Sequence, residues 1–203
     1  MAASTTTNNN TSKTCFVTIG ATATFTALIQ RVLAAPFISA LKSQGYTQLV
    51  VQYGAAGKPI YESAVQQAKT AGGKALSVSG FDLDKAGLGK HMRQAKGGRA
   101  GAGEGVVVSH AGSGTILDAL RLSVPIIVVP NAELLDNHQV ELAEALAAQE
   151  YVVHGRLEDL PGALKDAEAL RQRQREWPPA NAGTQREARG LKGILDEEMG
   201  FLD

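Results

Sequence analysis

The seven residues Ser109-His110-Ala111-Gly112-Ser113-Gly114-Thr115 concentrate the groups best suited to chemistry in this sequence. They follow an apolar run, Val106-Val107-Val108, and lead into a stretch with helical spacing from Thr115 to Leu122. Glycines let a backbone approach a ligand closely. The start of a helix offers N–H groups without intrahelical partners at the positive end of the helix dipole. That combination suits a diphosphate. Ser113 and Thr115 add hydroxyl donors, and His110 adds a donor or a partial positive charge. Asp118, one turn into the helix, can accept hydrogen bonds from a ribose diol, although an acid near a helix N-terminus is favourable without any ligand.

Neighbouring chemistries fit less well. A dinucleotide fingerprint would need its third glycine where Leu117 stands, and no Gly-Lys-Ser/Thr of a P-loop occurs anywhere. Gly112 abuts Ser113, so the spacing of a nucleophile elbow is missing. Ser109, His110 and Asp136 are the right types for a hydrolase triad, but Ser109 ends a strand beside its own base, which is poor geometry for one. A second polar cluster, Glu133-Leu134-Leu135-Asp136-Asn137-His138-Gln139, follows the apolar run Ile126 to Val129. Asp and Asn before a helix are ordinary N-caps. Capping does not account for Glu133, Asn137, His138 and Gln139 together, and such a set can hydrogen-bond several sugar hydroxyls. Gly20-Ala21-Thr22 is a weaker echo of the first loop and suits either a phosphate or a plain strand-to-helix turn. Asp82-Leu83-Asp84 has the spacing of a metal-binding pair, but nothing nearby completes a cage, so it reads as a loop.

The elements that must position these loops alternate. Strands are expected at Cys15 to Ile19, Leu49 to Tyr53, Ala75 to Val78, Val106 to Val108, Ile126 to Val129 and Tyr151 to Val153. Helices are expected over Phe25 to Leu33, residues 59 to 70, Ala86 to Ala95, Thr115 to Leu122, His138 to Gln149 and Leu157 to Arg173. The strands are continuous apolar runs, the mark of strands covered on both faces. The fold class is therefore α/β, a Rossmann-like parallel sheet with helices on both faces. Such sheets bind ligands outside the carboxyl ends of their strands. The loops of interest all follow strands.

The remainder is organised around one domain, expected over residues 14–176. Residues 1–13 are Ala, Ser, Thr and Asn with a single lysine and read as a disordered tail without the apolar core of a signal peptide. The stretch 97–105 reads as a flexible glycine-rich insert. After Trp177-Pro178-Pro179 the composition shifts, and Leu191, Ile194, Leu195, Met199 and Leu202 recur at helical spacing among charges. Residues 177–203 thus hold an amphipathic helix, set either to fold back or to dock on a second protein. Lys+Arg and Asp+Glu are 20 each, so the footprint of a nucleic-acid binder is absent. One cysteine, Cys15, rules out an intramolecular disulfide framework and a cysteine-rich zinc site, and fits a reducing compartment. No apolar run approaches a membrane span, so membrane contact is expected to be peripheral or borrowed.

Residues Val106 to Val153 resemble the nucleotide-sugar half of a GT-B glycosyltransferase of family 28. The stretches Ser-His-Ala-Gly-Ser-Gly-Thr-Ile-Leu-Asp-Ala-Leu-Arg, Val-Pro-Ile-Ile-Val-Val-Pro and Asp-Asn-His-Gln are similar to the catalytic subunits of the two-chain UDP-N-acetylglucosamine transferases of dolichol-linked oligosaccharide synthesis, the fungal forms above all. Phe16 to Thr22, Val50 to Gly54, Ser79 to Asp82 and the terminal Glu-Glu-Met-Gly-Phe-Leu-Asp share the resemblance. It implies a C-terminal, donor-half fold. It implies that His110, Gly112, Ser113, Gly114 and Thr115 meet a diphosphate, and that Asp118 stands where that fold usually has a ribose-binding glutamate. Asp136, Asn137, His138 and Gln139 would face N-acetylglucosamine, while Gly20, Ala21 and Thr22 would line the cleft near the phosphates. It also implies a membrane-anchored second subunit carrying the acceptor face, a heterodimer at the cytoplasmic face of the endoplasmic reticulum, a dolichol-linked acceptor, and no cofactor or metal beside the UDP-N-acetylglucosamine donor. A chain of this length holds one such domain where a GT-B enzyme needs two. The catalytic base stays open: His110, His138 or a group of the partner. A donor-binding subunit without catalytic groups is the alternative. An epimerase shares the fold but needs a second domain in the same chain.

Overall fold

The computed structural model describes residues 12–20, 24–71, 76–98, 101–131 and 138–176. Six strands form one parallel sheet: β1 (Ser12–Thr18), β2 (Gln48–Gln52), β3 (Ser77–Phe81), β4 (Ala102–His110), β5 (Ile126–Val129) and β6 (Val153–His154). Their spatial order is β3-β2-β1-β4-β5-β6, and every neighbouring pair is parallel. Helices α1 (Thr26–Leu33), α2 (Ala35–Ser43), α3 (Gly54–Ala71) and α7 (Leu160–Glu176) cover one face. Helices α4 (Gly89–Lys96), α5 (Ser113–Arg121) and α6 (His138–Ala148) cover the other. Cys15 and Val17 enter the first core and Phe16 the second; Ile127 and Val129 enter the first, Ile126 and Val128 the second. Burial on both faces is why these strands are unbroken apolar runs.

Where expectation and structure differ, packing is the reason. Ser12 and Lys13, expected within the tail 1–13, belong to β1 and pair with Ala102 and Gly103; residues 1–11 lie outside the described residues. The insert expected over 97–105 is strand from Ala102 onward. Its glycines serve close approach: a Cβ on Gly105 would collide with the Thr14 carbonyl oxygen, and one on Gly97 with that of Gly103. α2 has no counterpart among the expected helices. Pro36 has no N–H to continue α1, yet it fits the first turn of α2, where none is needed.

α3 begins at Gly54 rather than at 59 and runs through Pro59. Gly57 lets its first turn pack on α1, where a Cβ would stand 2.8 Å from Ile29 Cδ1. β3 runs on to Phe81, in register with Gln52 of β2, and Gly80 accommodates the Tyr61 ring, 2.6 Å from where its Cβ would lie. The segment 177–203, expected as an amphipathic helix, lies outside the described residues. No helix among the described residues is long and apolar enough to cross a membrane.

Candidate functional site

The strand order reverses between β1 and β4. The chain leaves β1 for α1 on one face and leaves β4 for α5 on the other, so the carboxyl ends of these two strands flank a crevice at the topological switch point. Gly20 lies on one side of this crevice and His110, the last residue of β4, on the other.

His110 is held by two glycines. A Cβ on Gly20 would stand 2.5 Å from Cε1 and 2.6 Å from Nε2 of the imidazole, and a Cβ on Gly112 would meet Nε2 directly. The ring therefore occupies a slot that only glycines on both sides leave open. Its Nδ1 is buried without a hydrogen-bond partner among the described residues. Burial pushes the imidazole pKa below its ordinary value, so His110 is neutral at pH 7. The sign of the resulting pH dependence follows. The unfolded chain takes up a proton at higher pH than the folded one, so the stability due to neutral burial is full above the usual histidine pKa and is lost as pH falls through the depressed folded value. His110→Gln is expected to flatten that part of the stability–pH curve between pH 7 and 5, measured by urea unfolding.

α5 starts without a side-chain cap. Its N-cap, Gly112, has φ −86° and ψ 118°. The Gly112 N–H donates to the His110 carbonyl at 2.8 Å, and the Ile116 N–H donates to the Gly112 carbonyl at 3.1 Å. Between them stand the amides of Ser113, Gly114 and Thr115, which by position have no intrahelical acceptor. Gly114 is exposed, and a Cβ there would meet nothing within 4 Å. The strand–loop–helix thus presents a row of N–H groups at the positive helix end beside a neutral imidazole, an arrangement with the chemistry to take an anion.

The other expected site residues fall as follows. Asp118 is exposed on α5 and pairs with Arg121 at 3.6 Å. Gln139, in the first turn of α6, accepts the Asn131 N–H at 3.1 Å, so its carbonyl oxygen ties α6 to the end of β5. Asn131, the first residue of the polar stretch that the sequence marks after β5, is 6% exposed. Ala21, Thr22, Asp136 and Asn137 lie outside the described residues, as does the His138 side chain. Ser109 is fully buried and its hydroxyl donates to the His110 carbonyl at 2.8 Å, which removes it as a nucleophile. Asp84 accepts the Ala86 N–H at 3.0 Å and sits 3.0 Å from His91 Nε2, contacts that hold its carboxyl below the usual range and make Asp82-Leu83-Asp84 an ordinary loop. Two shallow clefts of about 470 and 350 Å³ flank α1, away from the crevice, and are lined by residues such as Gln30, Ala34, Ile60 and Leu157.

Residues 14–192 match the glycosyltransferase family 28 C-terminal domain. The chain belongs to glycosyltransferase family 28. Its parallel sheet is thereby the sheet of that family's C-terminal domain. Among family 28 relatives it is similar to the UDP-N-acetylglucosamine transferase subunit ALG13 of Yarrowia lipolytica, 32% identical over 189 residues, covering 92% of this chain and 84% of that one. It is likewise similar to the ALG13 subunit of Cryptococcus neoformans, 34% identical over 201 residues, covering 93% of this chain and 97% of that one. A solution structure of ALG13 superposes with a TM-score of 0.59 at 27% identity, covering 90% of this chain and 96% of the other.

Proposed function

We propose that this family 28 chain is the donor-binding, catalytic subunit of a two-chain UDP-N-acetylglucosamine transferase. It would transfer N-acetylglucosamine to N-acetylglucosaminyl-diphosphodolichol, the second sugar of the lipid-linked oligosaccharide used for protein N-glycosylation. The observation that carries the reading is the uncapped start of α5, whose amides face the switch point beside the glycine-held His110. The relatives' designation as transferase subunits supports a partner. In this reading the partner is membrane-anchored, brings the acceptor, and holds the chain at the cytoplasmic face of the endoplasmic reticulum.

The reaction is a displacement at the anomeric carbon. The acceptor hydroxyl attacks from the face opposite UDP, its proton passes to a base, and the glycosidic bond to the β-phosphate breaks with inversion, leaving a β1,4 linkage. Amides of Ser113, Gly114 and Thr115 stabilise the charge that grows on the leaving diphosphate, a task that a divalent ion performs in other transferases. Asp118 holds the ribose, and Asp136, Asn137, His138 and Gln139 hold the sugar. Gly20, Ala21 and Thr22 line the opposite wall. The base is His110, His138 or a partner group.

Titration of UDP-N-acetylglucosamine into the assembled pair, followed through the amide signals of Gly112 to Thr115, tests the reading. Perturbation centred there supports it; silence there with perturbation elsewhere ends it. Asp118→Ala is expected to raise the donor KM about tenfold with kcat unchanged, as loss of a uniform binding contact does. The same assay separates the alternative of a non-catalytic donor-binding subunit. If His110→Ala and His138→Ala change only the donor KM, every catalytic group sits in the partner.

A further inference from the structure

Two buried polar side chains lie beneath the crevice and take no part in the donor contacts just proposed. Thr18 ends β1 and Gln52 ends β2, at 0% and 2% exposure. The register that pairs Val17 with Val51 sets them side by side. The Thr18 hydroxyl donates to Gln52 Oε1, and the same hydroxyl oxygen accepts the Gly20 N–H at 3.3 Å. Gly20 has φ +80°, the left-handed region that favours glycine, and forms the wall against which the His110 ring lies.

Stability alone gives little reason for this pair. A buried neutral hydrogen bond nets little stability, and replacing both partners with apolar groups of similar shape is close to neutral. An apolar pair, however, cannot accept the Gly20 N–H. Gln52 fixes the rotation of the Thr18 hydroxyl, because that hydroxyl must point its proton at Oε1 and so turns a lone pair toward Gly20. The direction of the turn after β1 is set from β2, one strand further from the crevice.

We propose that Thr18 and Gln52 are positioning residues. Their relay fixes the Gly20 turn, and through it the seat of the His110 imidazole from which the donor diphosphate is met. The functional half of this inference rests on the donor site of the preceding section; the geometric half does not.

Three variants of the full chain test it: Thr18→Val, Thr18→Ser, and Thr18→Val with Gln52→Met. The first readout needs no donor: the position of the His110 Cε1–H resonance in the free chain. The second is donor kinetics in the pair with its partner. Thr18→Val is expected to move the resonance and to lower kcat/KM about 3- to 10-fold, the worth of one hydrogen bond, mainly through KM. Thr18→Ser, which keeps the hydroxyl, returns both to within about twofold of the parent. The double variant melts near the parent, because no buried amide oxygen is left unpaired, yet keeps the moved resonance and the raised KM. A folded double variant with the parent's resonance and KM overturns the relay. A moved resonance in Thr18→Val, in a protein whose His110 does not respond to UDP-N-acetylglucosamine, upholds the relay and overturns the donor reading instead.

Discussion

Gly112→Ala is expected to lower kcat/KM for the donor about 10²-fold while the chain stays folded, an effect of the size that a misplacement of about 1 Å causes in a reacting site. The backbone is not the obstacle. At φ −86° and ψ 118°, Gly112 has a conformation open to any residue. The obstacle is the imidazole, whose Nε2 lies where the new methyl must go. His110 then has to leave its slot, and its buried, neutral placement is lost with it. Adding His110→Ala removes the clash, so the double variant should regain the parent's melting temperature but not its activity. Recovery of activity in the double variant would show that the ring itself is dispensable.

Gly114→Ala separates the site from the fold more sharply. Its Cβ would meet open space, and alanine in a helix is favoured over glycine by up to about 1 kcal/mol. The variant should therefore melt no lower than the parent. If the diphosphate lies over this amide, the methyl occupies ligand space, and crowding of about 1–3 kcal/mol weakens donor binding about fivefold or more. A more stable protein that binds its donor worse has no explanation in folding. An unchanged donor KM would move the diphosphate off the α5 start.

The core of the sheet is legible in the sequence because two-sided burial writes itself as a run. Ile126 to Val129 is a strand in both readings, to the residue. The alternation of strands with helices, and the place of the glycine-rich turn between β4 and α5, follow from local pattern for the same reason. What is not legible depends on contacts between distant elements. Gly80 and Gly105 resemble punctuation yet lie within strands, since Tyr61 and the Thr14 carbonyl require a missing side chain there. The first turn of α3 packs at Gly57 against Ile29, which no local window contains. Thr18 and Gln52 are single polar residues at the ends of apolar runs. Only the register of β1 on β2 makes them a pair. Gln139 is legible as one of the polar residues that follow β5. Its bond to the Asn131 amide is not, because the two partners stand eight residues apart.

Glu168→Ala is expected to destabilise the chain by about 3 kcal/mol without touching donor affinity. Glu168, on α7, accepts from Lys13 Nζ at 2.8 Å, from the Tyr46 hydroxyl at 2.7 Å and from the Arg171 guanidinium. Arg171 also donates to the Gly105 carbonyl and faces Glu104 at 3.8 Å. Lys13 lies 4.2 Å from the centroid of the Tyr46 ring. Burial, reinforced by the charge of Glu168, pushes the Tyr46 phenol far above its ordinary pKa, so it remains a donor throughout the working range. One carboxylate thus joins β1, the turn before β2 and α7, and through Arg171 the network reaches β4. Removing it takes the shared acceptor from two cations and a phenol, leaving Lys13 only the Gln44 carbonyl at 3.2 Å and Arg171 the Gly105 carbonyl and Glu104, and breaking a partly buried pair is costly. The partial exposure of Glu168, 27% at its side chain, keeps the figure at the low end of that range. For a chain of this size the melting temperature should fall about 6–12 °C. Lys58→Ala is the control: its pair with Glu62 is exposed, at 3.8 Å, and should be worth less than about 1 kcal/mol. A loss below about 1 kcal/mol for Glu168→Ala would mean that water replaces the carboxylate without cost. The network sits at the amino ends of the strands, opposite the crevice. The donor KM, measured well below the melting temperature, should therefore stay at the parent value. Glu168→Ala and Gly114→Ala then move stability and donor binding independently, which is the behaviour of a fold anchored at one edge of its sheet and reactive at the other.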